Sequence, residues 1–178
     1  MLVIGAGPIG LSVIEFAKLA GSRVVVMDLN EQRLRFAREK MGVRETILAK
    51  NFDDDVKAFT DLTGGKLGNV VVDATGSATS MSSAYHFVGF AGRLVWVGIT
   101  QDQLAFTQPL MHRREMTFLA SRNALAPEFT RIVRLIEGGM LDTRPWITHT
   151  APFDAMIDKF PGWMNPEAGV VKAMVEVA

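Results

Sequence analysis

The sequence contains no cysteine among its 178 residues, and this absence excludes several kinds of site. No disulfide framework can form, and no thiolate can ligate a metal ion. A chain without disulfides fits a cytoplasmic protein, and we expect that location.

The sequence also has no excess of charge of either sign and no long hydrophobic run. Lys and Arg number 19, and Asp and Glu number 19, so the formal net charge is zero. A neutral chain has no electrostatic footprint for nucleic acid or for an anionic membrane. The apolar stretches are short and interrupted, and the first residues do not have the pattern of a signal peptide. We therefore expect neither nucleic acid nor a membrane as a partner.

A regular alternation of apolar strands and amphipathic helices fills most of the chain. Strand patterns lie at residues 2–6, 23–28, 46–49, 69–73, 93–97 and 116–120, separated by helical patterns at residues 7–20, 31–41, 53–62 and 77–88, and a further helix is expected at residues 127–137. Nearly continuous apolar runs are typical of parallel strands that are covered on both faces. This order predicts an α/β fold with a doubly wound sheet of six parallel strands.

The composition changes after residue 142. Four of the seven prolines lie in residues 143–178, a segment that is too short to build its own core. We predict a short α+β tail with strands at residues 147–150 and 170–177 and a helix at residues 153–160. The expected organisation is a domain at residues 1–142 followed by a tail at residues 143–178.

A G-x-G-x-x-G motif is formed by Gly5, Gly7 and Gly10. It follows the first strand, opens the first helix, and precedes a second strand that ends at Asp28, 18 positions after Gly10. Together these features make the complete dinucleotide-binding fingerprint of the Rossmann fold. The glycines permit a tight turn, close approach of a pyrophosphate and close helix packing, and the helix N-terminus attracts phosphate. A simple turn with a solvated Asp28 is the less favoured interpretation.

The acidic end of the second strand predicts NAD rather than NADP. Asp28 would accept hydrogen bonds from the adenine ribose hydroxyls, and the same carboxylate would repel a 2′-phosphate. Leu29 and Asn30, which follow it, are not basic.

Three later strand ends fall at the edge where such sheets bind ligands. Small or polar residues stand there, namely Ala74, Thr75 and Gly76 after strand four, Val97, Gly98 and Ile99 after strand five, and Ser121, Arg122 and Asn123 after strand six. Each run alone fits ordinary turn chemistry, but their common placement favours a cofactor.

The sequence offers no candidate catalytic or metal-ligating residue. His86, His112 and His149 have no metal-site spacing, and we expect them to be structural. A set of Ser, His and Asp for nucleophilic catalysis is not apparent.

These motifs resemble the C-terminal part of the zinc-containing medium-chain alcohol dehydrogenases, most of all the sorbitol and sugar-acid dehydrogenase branch. The resemblance spans essentially the whole chain. It is carried by Asp28, with Arg33, Leu34 and Ala37 after it, and by residues 3–11, 72–76, 92–98, 112–116, 121–124 and 169–177. Residues 115–123 and the C-terminal run are its most specific parts.

The resemblance implies roles for individual residues. The matched positions are Gly5, Gly7, Pro8, Ile9 and Asp28 for the cofactor, Arg33 near the adenosine, Thr75 and Gly76 on the adenine side, Val97, Gly98 and Ile99 beside the nicotinamide, and Lys172 near the pyrophosphate. Family members oxidise a secondary alcohol by hydride transfer to NAD, and a catalytic zinc polarises the alcohol oxygen.

The sequence departs from the family pattern in one respect. Family members carry an N-terminal, GroES-like catalytic domain with Cys, His and Glu ligands for zinc, and residues 143–178 match the segment that returns to it. Because this chain starts at the first strand and has no cysteine, we expect zinc only in the missing domain and no dehydrogenase activity from this chain alone.

The family resemblance also implies a homodimer formed through the sheet edge. We expect residues 104–107 to be the edge strand, because an uncovered strand edge invites pairing.

Two other interpretations stay open. An S-adenosylmethionine-dependent methyltransferase would also end its second strand on an acidic residue, but Pro8 and the Ser121–Asn123 segment disfavour it. A non-catalytic NAD-sensing module would share the glycine turn, but it would not need the proline-rich tail.

Overall fold

The computed structural model describes residues 1–177 and divides the chain into two compact units, Met1–Asn123 and Ala124–Ala178. The expected end of the first domain lies further along the chain, at residue 142. The helix of residues 126–137 therefore groups with the C-terminal elements in the structure. The assignment of residues 1–142 to one functional domain stays a prediction.

The first unit is a six-stranded parallel sheet with helical connections. Its elements are β1 (Leu2–Ile4), α1 (Pro8–Leu19), β2 (Val25–Asp28), α2 (Glu31–Met41), β3 (Glu45–Leu48), α3 (Phe52–Leu62), β4 (Gly68–Asp73), α4 (Ala78–Ser83), β5 (Val88–Trp96), α5 (Gln108–Arg113) and β6 (Thr117–Ala120). The strand order is β3-β2-β1-β4-β5-β6, and every described pairing is parallel. This order confirms the predicted Rossmann fold.

The order of the strands reverses between β1 and β4. From β1 the chain continues outward to β2 and β3, and it then returns to form β4 on the other side of β1. In open α/β sheets, ligands bind outside the carboxyl ends of the strands at such a switch point. The crevice beyond Ile4 and Asp73, which are register partners, is therefore where a ligand is expected.

Local sequence signals explain several of these element ends. The Asn30 side chain accepts hydrogen bonds from Gln32 N and Arg33 N and so caps α2. Gly42 ends the same helix with a φ of 65°, a left-handed conformation that suits glycine. Asn51 caps α3 by accepting from Asp54 N.

The predicted helix at residues 77–88 is too long. Helix α4 ends at Ser83, a 3-10 turn covers Ala84–Phe87, and β5 begins at Val88, five residues before the predicted strand start. Val88 is fully buried and pairs with Gly68 of β4. Sheet pairing in the core therefore outweighs helix propensity at this point, an effect that sequence periodicity does not report.

The predicted edge strand at residues 104–107 is wrong, because this segment has no regular structure. Its backbone N–H groups bond to side chains, with Ala105 N donating to Ser82 Oγ (3.2 Å) and Thr107 N donating to Tyr85 Oη (3.1 Å). These donors are thus not available to a sheet ladder. Helix α5, which the sequence patterns did not predict and which contains His112, follows directly with Pro109 in its first turn. The edge strand of the sheet is β6.

The second unit contains helix α6 (Ala126–Glu137), strand β7 (Ile147–Pro152), helix α7 (Met156–Trp163) and strand β8 (Lys172–Glu176). Strands β7 and β8 form a parallel two-stranded sheet, which confirms the predicted α+β character of the tail. Helix α7 starts after a 3-10 turn and extends beyond the predicted end, through Pro161. Within residues 1–177, no helix combines the length and apolar character needed to cross a bilayer.

Candidate functional site

The turn after β1 is shaped by Gly5. Its φ of +96° lies in the left-handed region, and its N–H donates a 2.8 Å hydrogen bond to the carbonyl of Met27 on β2. A Cβ at this position would lie 3.2 Å from both Ala74 C and Thr75 Cγ2. The chain therefore needs glycine here both for its backbone conformation and for the close approach of the β4 end.

Gly7 stands at the N-terminus of α1, where Pro8 occupies the first turn and no side chain caps the helix. A Cβ at Gly7 would meet only Arg33 Nη1, at 4.0 Å. The approach to the first N–H groups of α1 is thus open on this side. Such a helix end presents N–H groups and partial positive charge to an anion. Ile9, in the same turn, is 53% exposed.

Gly10 has a stricter steric requirement than Gly7. A Cβ at Gly10 would lie 1.8 Å from the carbonyl oxygen of Gly5, well inside van der Waals contact. The first turn of α1 can therefore sit on the glycine turn only when residue 10 has no side chain.

Asp28 is almost completely buried at the end of β2, with 8% of its surface exposed. Its Oδ2 accepts a 2.6 Å hydrogen bond from Ala6 N in the glycine turn, and its Oδ1 accepts a 2.7 Å bond from Asn30 N. The carboxylate thus joins the glycine turn to the start of α2. Leu29 beside it is 80% exposed, and Arg33, in the first turn of α2, is also exposed.

The ends of β4 and β5 are packed against each other through glycine. A Cβ at Gly98 would lie 2.4 Å from Gly76 N, and a Cβ at Gly76, whose φ is +69°, would lie 3.2 Å from Ile99 O. Val97 N and Gly98 N both donate to the carbonyl oxygen of Asp73, at 2.9 and 3.2 Å. The structure therefore brings the residue runs 74–76 and 97–99 together at the carboxyl edge, next to the glycine turn.

The segment after β6 lies at the same edge of the sheet. Ser121 N donates to the carbonyl oxygen of Trp96 on β5 at 2.9 Å, and Ser121, Arg122 and Asn123 are all exposed. Asn123 has a φ of 57°. Lys172 belongs to β8 of the second unit, so its approach to a pyrophosphate stays a prediction.

Sequence reasoning missed the role of Asp73 among the candidate site residues. This carboxylate is fully buried at the end of β4, and it accepts hydrogen bonds from Thr75 N, Thr75 Oγ1 and Ser80 Oγ. The available signal was an acidic residue closing an apolar strand run directly before small residues.

The opposite end of the sheet also has a concavity, lined by residues that include Lys18, Ser22, Arg23 and Glu45. Arg23 and Glu45 form a bidentate ion pair at 2.6 and 2.7 Å, and this pairing lowers the pKa of Glu45. Lys18 Nζ donates to the carbonyl oxygen of Met41. Each of these charged groups thus has a partner within the chain, and all three lie away from the switch point.

Zinc does not fit the residues of this chain. Among the residues that the structure describes, no three His, Asp or Glu side chains are grouped so that they could hold a metal ion. The chain also has no cysteine to supply a thiolate. A dinucleotide fits better, because an open helix N-terminus at Gly7 lies beside a strand-end carboxylate at Asp28.

Comparison with protein families decides the relationship. Residues 8–138, which make up most of the chain, match the family described as zinc-binding dehydrogenase. The chain belongs to that family. This membership confirms the resemblance drawn from the sequence.

Two curated relatives carry names that refer to a sugar acid and to a polyol. L-galactonate-5-dehydrogenase from Escherichia coli K12 is 33% identical over 165 residues, which cover 90% of this chain and 46% of that protein. L-arabinitol 4-dehydrogenase from Aureobasidium melanogenum is 27% identical over 180 residues, which cover 99% and 49%. The chain thus spans about half the length of the curated relatives it matches.

A solved structure described as a short chain alcohol dehydrogenase shares the fold of this chain. An alcohol dehydrogenase from Escherichia coli CFT073, solved with the cofactor NADH, superposes with a TM-score of 0.84 at 24% identity. The match covers 97% of this chain and 50% of that protein.

Proposed function

We propose that this chain is the NAD-binding part of a zinc-dependent dehydrogenase that transfers hydride from a secondary alcohol of a sugar acid or polyol to NAD. Family membership and the names of the relatives support the reaction class. The related structure with bound NADH supports the cofactor. The substrate class rests on these relatives alone.

The observation that carries the proposal is the hydrogen bond between Ala6 N and Asp28 Oδ2. It ties the loop that would receive the pyrophosphate to the carboxylate that would receive the adenine ribose. The two halves of the proposed dinucleotide site would therefore be held at one fixed spacing before any ligand arrives. Such preorganisation lowers the ordering cost of binding.

The same carboxylate is the basis for proposing NAD over NADP. Each oxygen of Asp28 already accepts one backbone N–H and retains a lone pair that could accept a ribose hydroxyl. A 2′-phosphate carries about two negative charges. Placing these charges against the nearly buried carboxylate of Asp28 is electrostatically unfavourable. Arg33 supplies one positive charge nearby, which we propose contacts the adenosine.

The remaining candidate residues take supporting roles in this proposal. Thr75 and Gly76 would line the adenine side, and Val97, Gly98 and Ile99 would line the nicotinamide. Exposed apolar side chains at Ile9, Leu29 and Ile99 would cover the flat rings and exclude water. The exposed segment 121–123 would contact polar parts of the cofactor. Bound NAD would supply the hydride acceptor, and this chain would bind and orient it.

Zinc, in this proposal, is held by residues that do not belong to this chain. The donor set of the chain does not suit a zinc site, so no step of the reaction is assigned to a metal bound by its described residues. We expect no dehydrogenase activity from the purified chain. Zinc-dependent turnover of a sugar acid or polyol by this chain alone would contradict the proposal.

Calorimetric titration of the purified chain with NAD and with NADP tests the cofactor assignment. We expect saturable binding of NAD and much weaker binding of NADP. Equal affinity for the two would remove the role proposed for Asp28. S-adenosylmethionine serves as the negative control ligand, since an alternative methyltransferase site would bind it instead.

We further propose that the chain forms a homodimer through the open edge of β6. Strand β6 ends the sheet, and its Leu119 is 44% exposed. An uncovered edge strand with exposed apolar side chains favours pairing with a second copy.

Cytoplasmic location stays a prediction, which fractionation of the source cells would test.

A further inference from the structure

Asp73 is buried in an unusual electrostatic setting. It is one of two charged side chains that are buried in residues 1–177, and its exposed fraction is 0%. Within that part of the chain no Lys, Arg or His pairs with its carboxylate. Burial of a carboxylate is costly unless hydrogen bonds replace its hydration, so the donors around it matter.

The three hydrogen bonds that the Asp73 carboxylate accepts all come from one segment, residues 75–80. Oδ1 of Asp73 accepts from Thr75 N at 2.9 Å and from Thr75 Oγ1 at 2.7 Å, and Oδ2 accepts from Ser80 Oγ at 2.5 Å. Thr75 Oγ1 in turn accepts from Ser77 N at 3.1 Å. The carboxylate therefore holds both the turn after β4 and the first part of α4.

This turn fills the space between two other parts of the candidate site. On one side Thr75 Cγ2 lies against Gly5, and on the other side Gly76 lies against Gly98 and Ile99. Asp73 itself is the register partner of Ile4 on β1 and of Trp96 on β5. It therefore stands at the switch point, directly beneath the crevice where a ligand is expected.

We infer that Asp73 is a positioning residue for NAD binding, which acts through Thr75 and Ser80 to hold the β4 turn against the glycine turn and the β5 end. This inference rests on the proposed NAD site. It assigns a binding role to a carboxylate that is itself fully buried, with an exposed fraction of 0%. A charge-assisted hydrogen bond is about twice as strong as a neutral one, so the buried carboxylate fixes the turn more firmly than an amide would.

The experiment compares NAD dissociation constants at a temperature where circular dichroism shows every variant fully folded. Ser80→Ala removes the donor to Oδ2 and lies outside the residues proposed to touch the cofactor. Asp73→Asn removes the charge. Ser83→Ala is the matched control, because Ser83 Oγ donates only to the carbonyl oxygens of Thr79 and Ser80 in the same helix.

We expect Ser80→Ala and Asp73→Asn each to weaken NAD binding by about tenfold. We expect Ser80→Thr to restore the affinity and Ser83→Ala to bind as the wild type does. A purely structural role would lower the unfolding temperature and leave the dissociation constant of the folded protein unchanged, and that result would overturn the inference.

The outcomes separate this inference from the proposed function. If the wild type binds NAD and Ser80→Ala binds it equally well, the inference fails and the NAD site stands. If the wild type does not bind NAD, both fail. Should Asp73→Asn not fold, Ser80→Ala with its Ser80→Thr rescue still decides the matter.

Discussion

The backbone N–H of Ala6 and the Oδ2 atom of Asp28 are joined by a 2.6 Å hydrogen bond across 22 positions of the chain. The bond connects the end of β1 to the end of β2 in a nearly buried environment. It makes Asp28 a structural element of the glycine turn as well as a candidate ribose acceptor. Substitution at this position therefore acts on both folding and cofactor choice.

Replacement of Asp28 separates these two effects. In Asp28→Ala, Ala6 N and Asn30 N lose their acceptor, which we expect to cost about 1–3 kcal/mol of unfolding free energy for each donor left buried and unsatisfied. Asp28→Asn keeps one acceptor oxygen and removes the charge that repels a 2′-phosphate. We expect its NADP-to-NAD affinity ratio, measured by calorimetry, to rise at least about tenfold. An unchanged ratio would show that Asp28 does not select the cofactor.

Gly7→Ala tests the phosphate cradle without disturbing the fold. The backbone at Gly7 has a φ of −77°, and the added Cβ would meet only Arg33 Nη1 at 4.0 Å. The methyl group would, however, project where a pyrophosphate is proposed to approach α1. We expect near wild-type thermal unfolding and NAD binding weakened by about tenfold or more.

Gly10→Ala is the matched contrast in the same turn. Its Cβ would lie 1.8 Å from Gly5 O, so the helix or the turn must shift. We expect a loss of about 1–3 kcal/mol of stability in denaturant unfolding. An unfolding midpoint equal to that of the wild type would mean that α1 moves freely relative to β1, contrary to their close packing.

We expect the free energy of unfolding to decrease as the pH falls below about 6.5, the ordinary pKa of histidine, because of His86. Burial, and then the nearby charge of Arg114, lowers the pKa of His86 below its ordinary value. Between the pKa of His86 in the folded state and its higher pKa in the unfolded state, the unfolded state binds more protons. Stability therefore decreases as the pH falls through this range.

Thermal unfolding of His86→Phe across this pH range provides the measurement. Phenylalanine retains the aromatic contacts with Phe52 and Tyr85, whose ring centroids lie 4.8 and 4.2 Å from the His86 ring. We expect a flatter pH profile for this variant than for the wild type. His112→Phe, at an exposed position, is the control that should keep the wild-type profile.

Leu119→Lys tests the proposed dimer. A lysine on β6 places charge on the open edge and opposes pairing with a second copy. We expect sedimentation to show a monomer for this variant and a dimer for the wild type. Leu48→Lys, on the opposite edge strand β3, is the control, since Leu48 is exposed to a similar degree (38%). If Leu48→Lys dissociates the dimer and Leu119→Lys does not, the interface lies at β3 and the proposal is contradicted.

Periodicity was a good guide to the central strands and to the helices with clear end signals. Helix α2 was predicted with its observed bounds, because Asn30 and Gly42 mark its two ends by local chemistry alone. The β4–β5 connection was predicted poorly. There, Val88 pairs with Gly68 of β4, and no local pattern reveals a partner 20 positions away.

The residues of the candidate site show the same division. The glycine motif and Asp28 were recognisable from sequence because their spacing encodes a turn between neighbouring elements. For Asp73 the sequence offered only an acidic residue at the end of an apolar run, and its part in the site rests on complete burial and on donors that fold back onto it.

The sequence by itself determined the class of fold, the glycine turn, the acidic strand end and the family, because each depends on residue types at short separations. Only the tertiary structure decided that β6 rather than residues 104–107 closes the sheet, and that the ends of β1, β4 and β5 meet through glycine. Those outcomes depend on which distant backbone groups pair and how closely they pack. Such energies arise only between segments that folding brings together.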